Sequence, residues 1–361
     1  MFNLRRFSTP LILIALVLLV ALVGSTGSEE FQRTIATMLI FVTATVALYL
    51  FAGNSGVLMF GHVAFMAVGG YVTAILSIPE GLREATLPNL PGILANTYVE
   101  PTVAILIGAV LATVLALAVG IPLMRLHHIA AAIGTLSLLV IVHVIATNWT
   151  NVTNGPQTLV GVPLYTTIWN SFPWVALVIV ITFAYQQSRW GRRLRASRED
   201  LLAAQAIGVR VTLERMVALV LSAFCLGIAG GLLALFLGAF GPEEFYFKLT
   251  FLTIAMLVIG GFRSLSGAVI GALVFSTLSD VLRELQDGGI DVLGVGIHPK
   301  PGLQNIVLAA VMLAILVFRP DGITRGRELG WRGKSTRPPG SVAPAAAAAD
   351  AARSSDVSRV G

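Results

Sequence analysis

Five histidines, one cysteine, a Gly-Lys-Ser triplet and a run of arginines are the residues of this 361-residue chain whose types invite chemistry. A bound transition metal needs three or four His, Cys or carboxylate ligands converging at short spacing. His127 and His128 are adjacent and so point in different directions on a helix, and neither has a Cys or carboxylate at ligand spacing. His143 lies inside an apolar run, where a hydrogen bond to a neighbouring helix is the expected use. Cys225 is single, which excludes an intramolecular disulfide, and its apolar surroundings predict a buried thiol. Gly333-Lys334-Ser335 has the ending of a phosphate-binding loop, but the position of that motif's first glycine holds Glu328, and no strand precedes it. No nucleophile elbow, His-Glu-x-x-His pair or intramembrane carboxylate pair is present. The expectation is a chain with no catalytic, metal or ATPase site of its own and no bound cofactor.

Three polar concentrations remain. Seven arginines fall within Arg189–Arg215, in a stretch where Leu202-Ala203-Ala204 and Gly208 suggest a short helix with a small-residue face, ended at a glycine. A second concentration is Gly53-Asn54-Ser55-Gly56, followed by Gly61-His62. Its two outer glycines predict a non-helical lead-in to the next helix, with Asn54 able to take a left-handed conformation. Two readings stand for Asn54, Ser55, Gly61 and His62: lining of a translocation route, or close packing. The third, Thr153–Pro163, contains Asn154, Gly155, Gly161 and Pro163, carries no charge and specifies fixed turns.

The elements that must position these groups are membrane helices. The chain is 56% hydrophobic and 12% charged, with a mean hydropathy of +0.86. Soluble domains carry about 25% charged residues, so an ordinary globular protein is excluded. The apolar runs are continuous rather than alternating, which excludes a β-barrel. Ten spans are predicted, near 9–23, 34–51, 57–78, 102–124, 129–149, 173–185, 216–240, 249–261, 265–282 and 303–318. The fold class is therefore all-α, a polytopic membrane bundle of about ten helices.

Charge sets the orientation. Ten spans put Arg5, Arg6, Arg125, the Arg189–Arg215 loop, Arg263 and the basic tail on one side, and Glu29, Glu30, Glu80, Glu84, Glu100, Glu243 and Glu244 on the other, with Arg33, Arg83, Lys248, Arg283 and Lys300 sparsely among them. That bias predicts both termini in the cytoplasm, with the first apolar run kept as an uncleaved helix. It also accounts for the net charge of +6 without a nucleic-acid partner. Residues 1–322 are read as the transmembrane domain, with a cytoplasmic loop at 186–215, and residues 323–361 as a disordered cytoplasmic tail. Gly227…Gly231 and Gly267…Gly271 predict close backbone packing within the chain.

The run Gly191-Arg192-Arg193-Leu194-Arg195-Ala196-Ser197-Arg198-Glu199-Asp200, continued by Ala203-Ala204 and Gly208, resembles the coupling loop of ABC-importer permeases of the LivM type, in the branched-chain amino-acid permease family. Leu202 stands where the general motif of such loops has glutamate. Gly61, His62, Phe65, Gly69 and Tyr71 match a second motif of that family, with Met59-Phe60 in place of the usual Ser-Leu. Thr153–Pro163 resembles a third, with Thr158 in place of a glycine, and Phe318-Arg319-Pro320-x-Gly322 resembles the family's terminal motif. The resemblance spans about Thr34 to Gly322. It implies a ten-helix type II importer fold in a bacterial inner membrane. The implied partners are a second, LivH-like permease, two cytosolic ATPases of the LivG/LivF kind that use ATP and Mg, and an external substrate-binding protein. Arg195, Arg198, Glu199, Asp200, Ala203, Ala204 and Gly208 are the residues it assigns to ATPase coupling. Its implied cargo is Leu, Ile and Val, with urea or short amides as an alternative. A secondary transporter or channel without an ATPase is the alternative from another class, and would place ionisable groups inside its spans.

Overall fold

The computed structural model describes residues 8–88, 90–92, 97–126, 128–288, 290–292, 295–297, 303–319 and 322–329. The tail expected to be disordered lies, from residue 330 on, outside the described residues, as does His127. In chain order the helices are α1 (Ser8–Ser25), α2 (Glu29–Ser55), α3 (His62–Ser77), α4 (Glu80–Thr86), α5 (Pro101–Leu123), α6 (His128–Asn148), α7 (Ile168–Gln187), α8 (Arg189–Glu199), α9 (Leu201–Ala206), α10 (Val211–Leu237), α11 (Phe247–Gly260), α12 (Leu265–Gly288) and α13 (Leu303–Phe318). Single helical turns lie at Thr150–Thr153 and Pro242–Phe245, and β1 (Ile290–Val292) pairs antiparallel with β2 (Val295–Ile297), Ile290 opposite Ile297.

Each of the ten expected spans is occupied by a helix. Among the described residues, α1, α2, α5, α6, α7, α10 and α12 are long and apolar enough to cross a membrane. The helices α3, α11 and α13 have 16, 14 and 16 residues. At 1.5 Å per residue they reach only about 21–24 Å, short of a hydrocarbon layer of about 30 Å. The protein is a polytopic all-α membrane bundle.

Several boundaries differ from the sequence reading: the helices expected from 34 and 216 begin at Glu29 and Val211, and two other shifts bear on the site. The sixth span, expected at Pro173–Tyr185, begins instead at Ile168, because the Thr167 hydroxyl caps the helix by accepting from Asn170 N at 3.4 Å; Pro173 lies inside the helix without ending it. The break before the third span also moves. Gly53, Asn54 and Ser55 are helical, and α2 stops at Gly56, left-handed at φ 73°, whose N–H donates to Ala52 O at 2.9 Å. Gly53 is small for packing rather than for breaking the helix: a methyl there would lie 2.9 Å from the Phe262 carbonyl oxygen. The irregular stretch is therefore Gly56–Gly61.

At the centre, α2, α3 and α10 are apolar nearly all round and enclosed by their neighbours. The packing follows from small residues. Ala104, Gly108, Ala112, Ala116 and Gly120 recur every four residues along α5 and form its buried stripe. Val103, Val110, Val114, Leu117 and Ile121 face outward, as a lipid-facing surface requires. Where α3, α5 and α10 meet, an added methyl at Gly69 would overlap Gly227 O, one at Gly230 would overlap Met66 O, and one at Gly108 would come within 2.6 Å of Gly69 O. The expected glycine pairs pack within the chain: Gly227 lies against Ala109, and Gly267 and Gly271 lie against α11 at Gly260.

Candidate functional site

The arginine-rich segment forms two short helices standing on the ends of longer ones. Ser188 is extended (φ −69°, ψ 165°), so the chain turns between α7 and α8, and its hydroxyl accepts from Gly191 N at 3.2 Å. Gly191, Leu194 and Ser197 recur every third residue and form the buried face of α8. Arg195 Nη2 reaches back to donate to Gln186 O at 2.6 Å, and Arg198 Nη1 donates to Gly53 O, at the end of α2, also at 2.6 Å. Arg198 also grips the neighbouring carboxylate, with Nε and Nη2 at 3.1 and 2.7 Å from Glu199 Oε1. Hydrogen bonding to Arg198, and then its charge, hold the Glu199 carboxyl below its ordinary range. Arg263, in the turn between α11 and α12, approaches the same oxygen at 3.5 Å.

Asp200 is a helix cap: its Oδ1 accepts from Ala203 N at 2.9 Å and sets where α9 begins. Gly208, left-handed at φ 84°, ends this element. The small face expected from Ala203 and Ala204 is not formed, because consecutive residues of a helix point about 100° apart. Ala204 is turned inward and buried, while Ala203 faces out. The outward surface of this element is instead Leu202, 77% exposed, and Ile207, 79% exposed, with Ala203 and Ala206 between them.

One residue that sequence reasoning passed over joins this site. Glu328 stands beside Gln186, whose Nε2 donates to Glu328 Oε1 at 2.9 Å, and its other partners are the Leu265 and Ser266 N–H groups and the Ser266 hydroxyl at the start of α12. The only signal in the sequence is that Glu328 is a lone acid in a run of arginines. Together Gln186, Arg195, Arg198, Arg263, Arg325 and Glu328 border a cleft of about 400 Å³.

Asn54 and Ser55 follow the Gly53 carbonyl that Arg198 holds, and they, Gly61 and His62 are all enclosed. Asn54 Nδ2 donates to Leu50 O at 2.9 Å while its Oδ1 has no hydrogen-bond partner among the described residues, and Ser55 Oγ accepts from Val57 N at 3.2 Å. Gly61 abuts α6 so closely that a methyl would overlap Thr135 O, and the Thr135 hydroxyl accepts from Phe60 N at 3.2 Å. His62 bridges the irregular stretch and α11. Its Nδ1 faces Met59 O at 2.9 Å and its Nε2 faces the Thr253 hydroxyl at 2.6 Å. A carbonyl can only accept, so the neutral ring carries its proton on Nδ1 and accepts from Thr253.

At the opposite ends of α2 and α10 the uncharged loop is held by its backbone. Asn154 and Gly155 are both left-handed (φ 64° and 62°), and Asn154 Nδ2 donates to Thr158 O at 3.1 Å. Leu159 and Phe240 exchange both backbone hydrogen bonds, at 2.9 and 3.1 Å. Gly161, at φ 87°, turns the chain so that Val162 N donates to Gly238 O at 3.2 Å, and after Pro163 the Thr166 hydroxyl donates to Leu232 O at 2.9 Å. On this side His143 of α6 stacks on Tyr246, ring centroids 3.9 Å apart, with Nε2 3.4 Å from Glu243 Oε1.

Comparison with known proteins agrees with this architecture. The family described as branched-chain amino acid transport system / permease component matches residues 31–316. The permease protein LivM of the high-affinity branched-chain amino acid transport system of Salmonella typhimurium is 25% identical over 80% of this chain and 69% of its own length. The autoinducer 2 import system permease protein LsrC of Salmonella typhi is 26% identical over 87% of this chain and 85% of its own. LivH of Escherichia coli is 28% identical over 40% of this chain and 43% of its own. The motifs, the buried small-residue packing and a match over most of the chain agree: this multi-pass membrane protein is a transport component and belongs to the branched-chain amino acid transport system permease family.

Proposed function

We propose that this chain is a permease subunit of a bacterial ABC importer that carries Leu, Ile and Val across the inner membrane, paired with a second, LivH-like permease. ATP and Mg act in two partner ATPases, and an external binding protein delivers the cargo. The observation that carries the reading is the pair α8–α9: a capped, projecting element with an exposed apolar tip at Leu202 and Ile207, hydrogen-bonded at its base to the ends of α2 and α7. Such an element can dock in a groove and pass a displacement to the spans, as an alternating-access switch requires. Arg195 and Arg198 fix its base, Glu199 and Asp200 its shape, and Ala203, with Leu202 and Ile207, its contact face. Ala204 packs it against the body, and Gly208 lets the chain return into α10. Asn154, Gly155, Gly161 and Pro163 shape the surface offered to the binding protein. Asn54, Ser55, Gly61 and His62, enclosed in this conformation, meet cargo only in the alternate state.

In the reconstituted complex of both permeases and both ATPases, with binding protein added, Ala203→Trp is expected to abolish co-purification of the ATPase and leucine-stimulated hydrolysis while membrane insertion stays normal. Retention of both would sink the docking assignment. Cargo is tested with the cognate binding protein: tight binding of urea or of a short amide, with none of leucine, overturns the amino-acid part alone. Orientation is tested by single cysteines at exposed positions in a Cys225→Ser background, where an impermeant thiol reagent on intact cells should label Gln157→Cys and spare Gln205→Cys. Labelling of both only after permeabilisation, or in the reverse order, overturns the orientation.

A further inference from the structure

The helix α12 starts with four N–H groups that have no acceptor within the helix. Two are met close by: Gly267 N donates to the Ser264 hydroxyl at 3.0 Å, and Ser264 N to Gly261 O at 3.4 Å. The other two turn to a distant residue. Glu328 Oε1 accepts from Leu265 N at 2.9 Å, and Oε2 accepts from Ser266 N at 3.0 Å and from the Ser266 hydroxyl at 2.8 Å. Charge-assisted bonds are the strong class, and an anion at a helix N-terminus also gains from the helix dipole. The same carboxylate accepts from Gln186 Nε2 at 2.9 Å, and Gln186 O in turn accepts from Arg195 of α8.

The segment carrying Glu328 is fastened separately. Ile323 N donates to Ile259 O at 2.9 Å and Thr324 N to Gly260 O at 3.1 Å, while the Ser264 and Thr324 hydroxyls lie 2.8 Å apart. Beyond it, Leu329 N donates to the Ser266 hydroxyl at 2.8 Å. The carboxylate thus ties the start of α12 to the corner where α7 turns into α8, and the segment that carries it is bonded to the end of α11. The parallel link from α8 to this hairpin is the Glu199–Arg263 pair, both partners of which are more than half exposed, and such pairs are among the weakest contacts.

We infer that Gly322–Leu329 is a latch that carries displacement of α8–α9 to the α11–α12 hairpin, with Glu328 as its positioning residue. The inference rests on the reading of α8–α9 as the ATPase-docking element. Without the carboxylate, α12 loses half of its N-terminal acceptors and the α7–α8 corner loses its hold on the hairpin. The partner ATPases could then cycle while part of the bundle fails to follow.

The test measures leucine uptake and ATP hydrolysis together in the reconstituted complex. For Glu328→Ala, hydrolysis should stay within about twofold while uptake per ATP falls about tenfold, the scale expected for loss of charge-assisted hydrogen bonds. Gln186→Leu leaves the α12 cap in place and cuts only the link to α7. It should lower uptake per ATP in the same direction, by about threefold for one hydrogen bond. Wild-type uptake per ATP in both variants overturns the latch. So does a parallel fall of uptake and hydrolysis in step with the amount of assembled complex, since that marks Glu328 as merely stabilising. If the wild-type complex does not couple hydrolysis to uptake, the docking reading fails and the latch falls with it.

Discussion

At one end of α10 the chain from Asn154 to Thr166 is secured mainly by backbone: a two-bond bridge between Leu159 and Phe240, a further bond from Val162 to Gly238, and left-handed turns at Asn154, Gly155 and Gly161. At the other end, α8 and α9 are secured mainly by side chains, with Arg195 on Gln186 O, Arg198 on Gly53 O, and Glu199 between Arg198 and Arg263. Backbone bridges fix a register and leave few alternatives. Long charged side chains can exchange one acceptor for another at small cost, because several lie within reach. The difference suits an end that must keep its shape and an end that must move relative to the rest.

Substitutions that attack each mode of attachment sharpen this contrast. The largest effect is expected from Arg198→Ala, since truncating a charged hydrogen bond costs about 1.5–3 kcal/mol. It should raise hydrogen exchange at the Gly56 amide, which closes α2, and leave Leu159 and Phe240 protected. Unchanged exchange at Gly56 would mean that Arg198 does not hold the end of α2. Next comes Gly161→Ala, where φ is 87° and no atom lies closer than 3.6 Å to an added methyl, so the penalty is conformational. A left-handed alanine costs about 1–2 kcal/mol, to be read as a lowered melting midpoint with normal hydrogen exchange at Gly56.

Asp200→Ala removes the cap of α9 and should cost about 1 kcal/mol, with faster exchange at Ala203 N and near-complete rescue by Asp200→Asn. The smallest effect belongs to Glu199→Gln, at most about 1 kcal/mol because the pair is exposed, and it should vanish in high salt. Its pH dependence has a defined sign. The folded-state carboxyl titrates below its ordinary 4.5, so its contribution is present above that value and is lost as pH falls through the lowered one. An effect growing above pH 7 would contradict the pairing.

The helices were legible because each span is a continuous apolar run, and burial of such runs leaves the chain little choice. Phase and partners were less legible. Gly53 and Gly56 read alike in sequence, and only the approach of Phe262 O shows that the first serves packing and the second ends the helix. Ala203 and Ala204, adjacent on a helix, cannot share a face, and which of them turns inward depends on where α9 starts, which the Asp200 side chain sets. Glu328 escaped notice for a different reason: two of its partners are backbone N–H groups 62 and 63 residues away, and backbone donors carry no residue-type signature. His62 could be recognised as a polar group in a span, whereas its Thr253 partner, 191 residues distant, could not be named.

The glycine contacts among α3, α5 and α10 have a consequence for how the chain is made. Gly69 and Gly108 can already meet once α5 has been synthesised, but the surfaces they share with Gly227 and Gly230 stay unmatched until α10 emerges. With synthesis at about 5–20 residues per second, that interval is on the order of 10 s. For that time a groove of bare backbone in two nascent helices must be filled by lipid chains or by a transient protein neighbour. The last central helix then enters a partly built bundle and displaces whatever occupied its place.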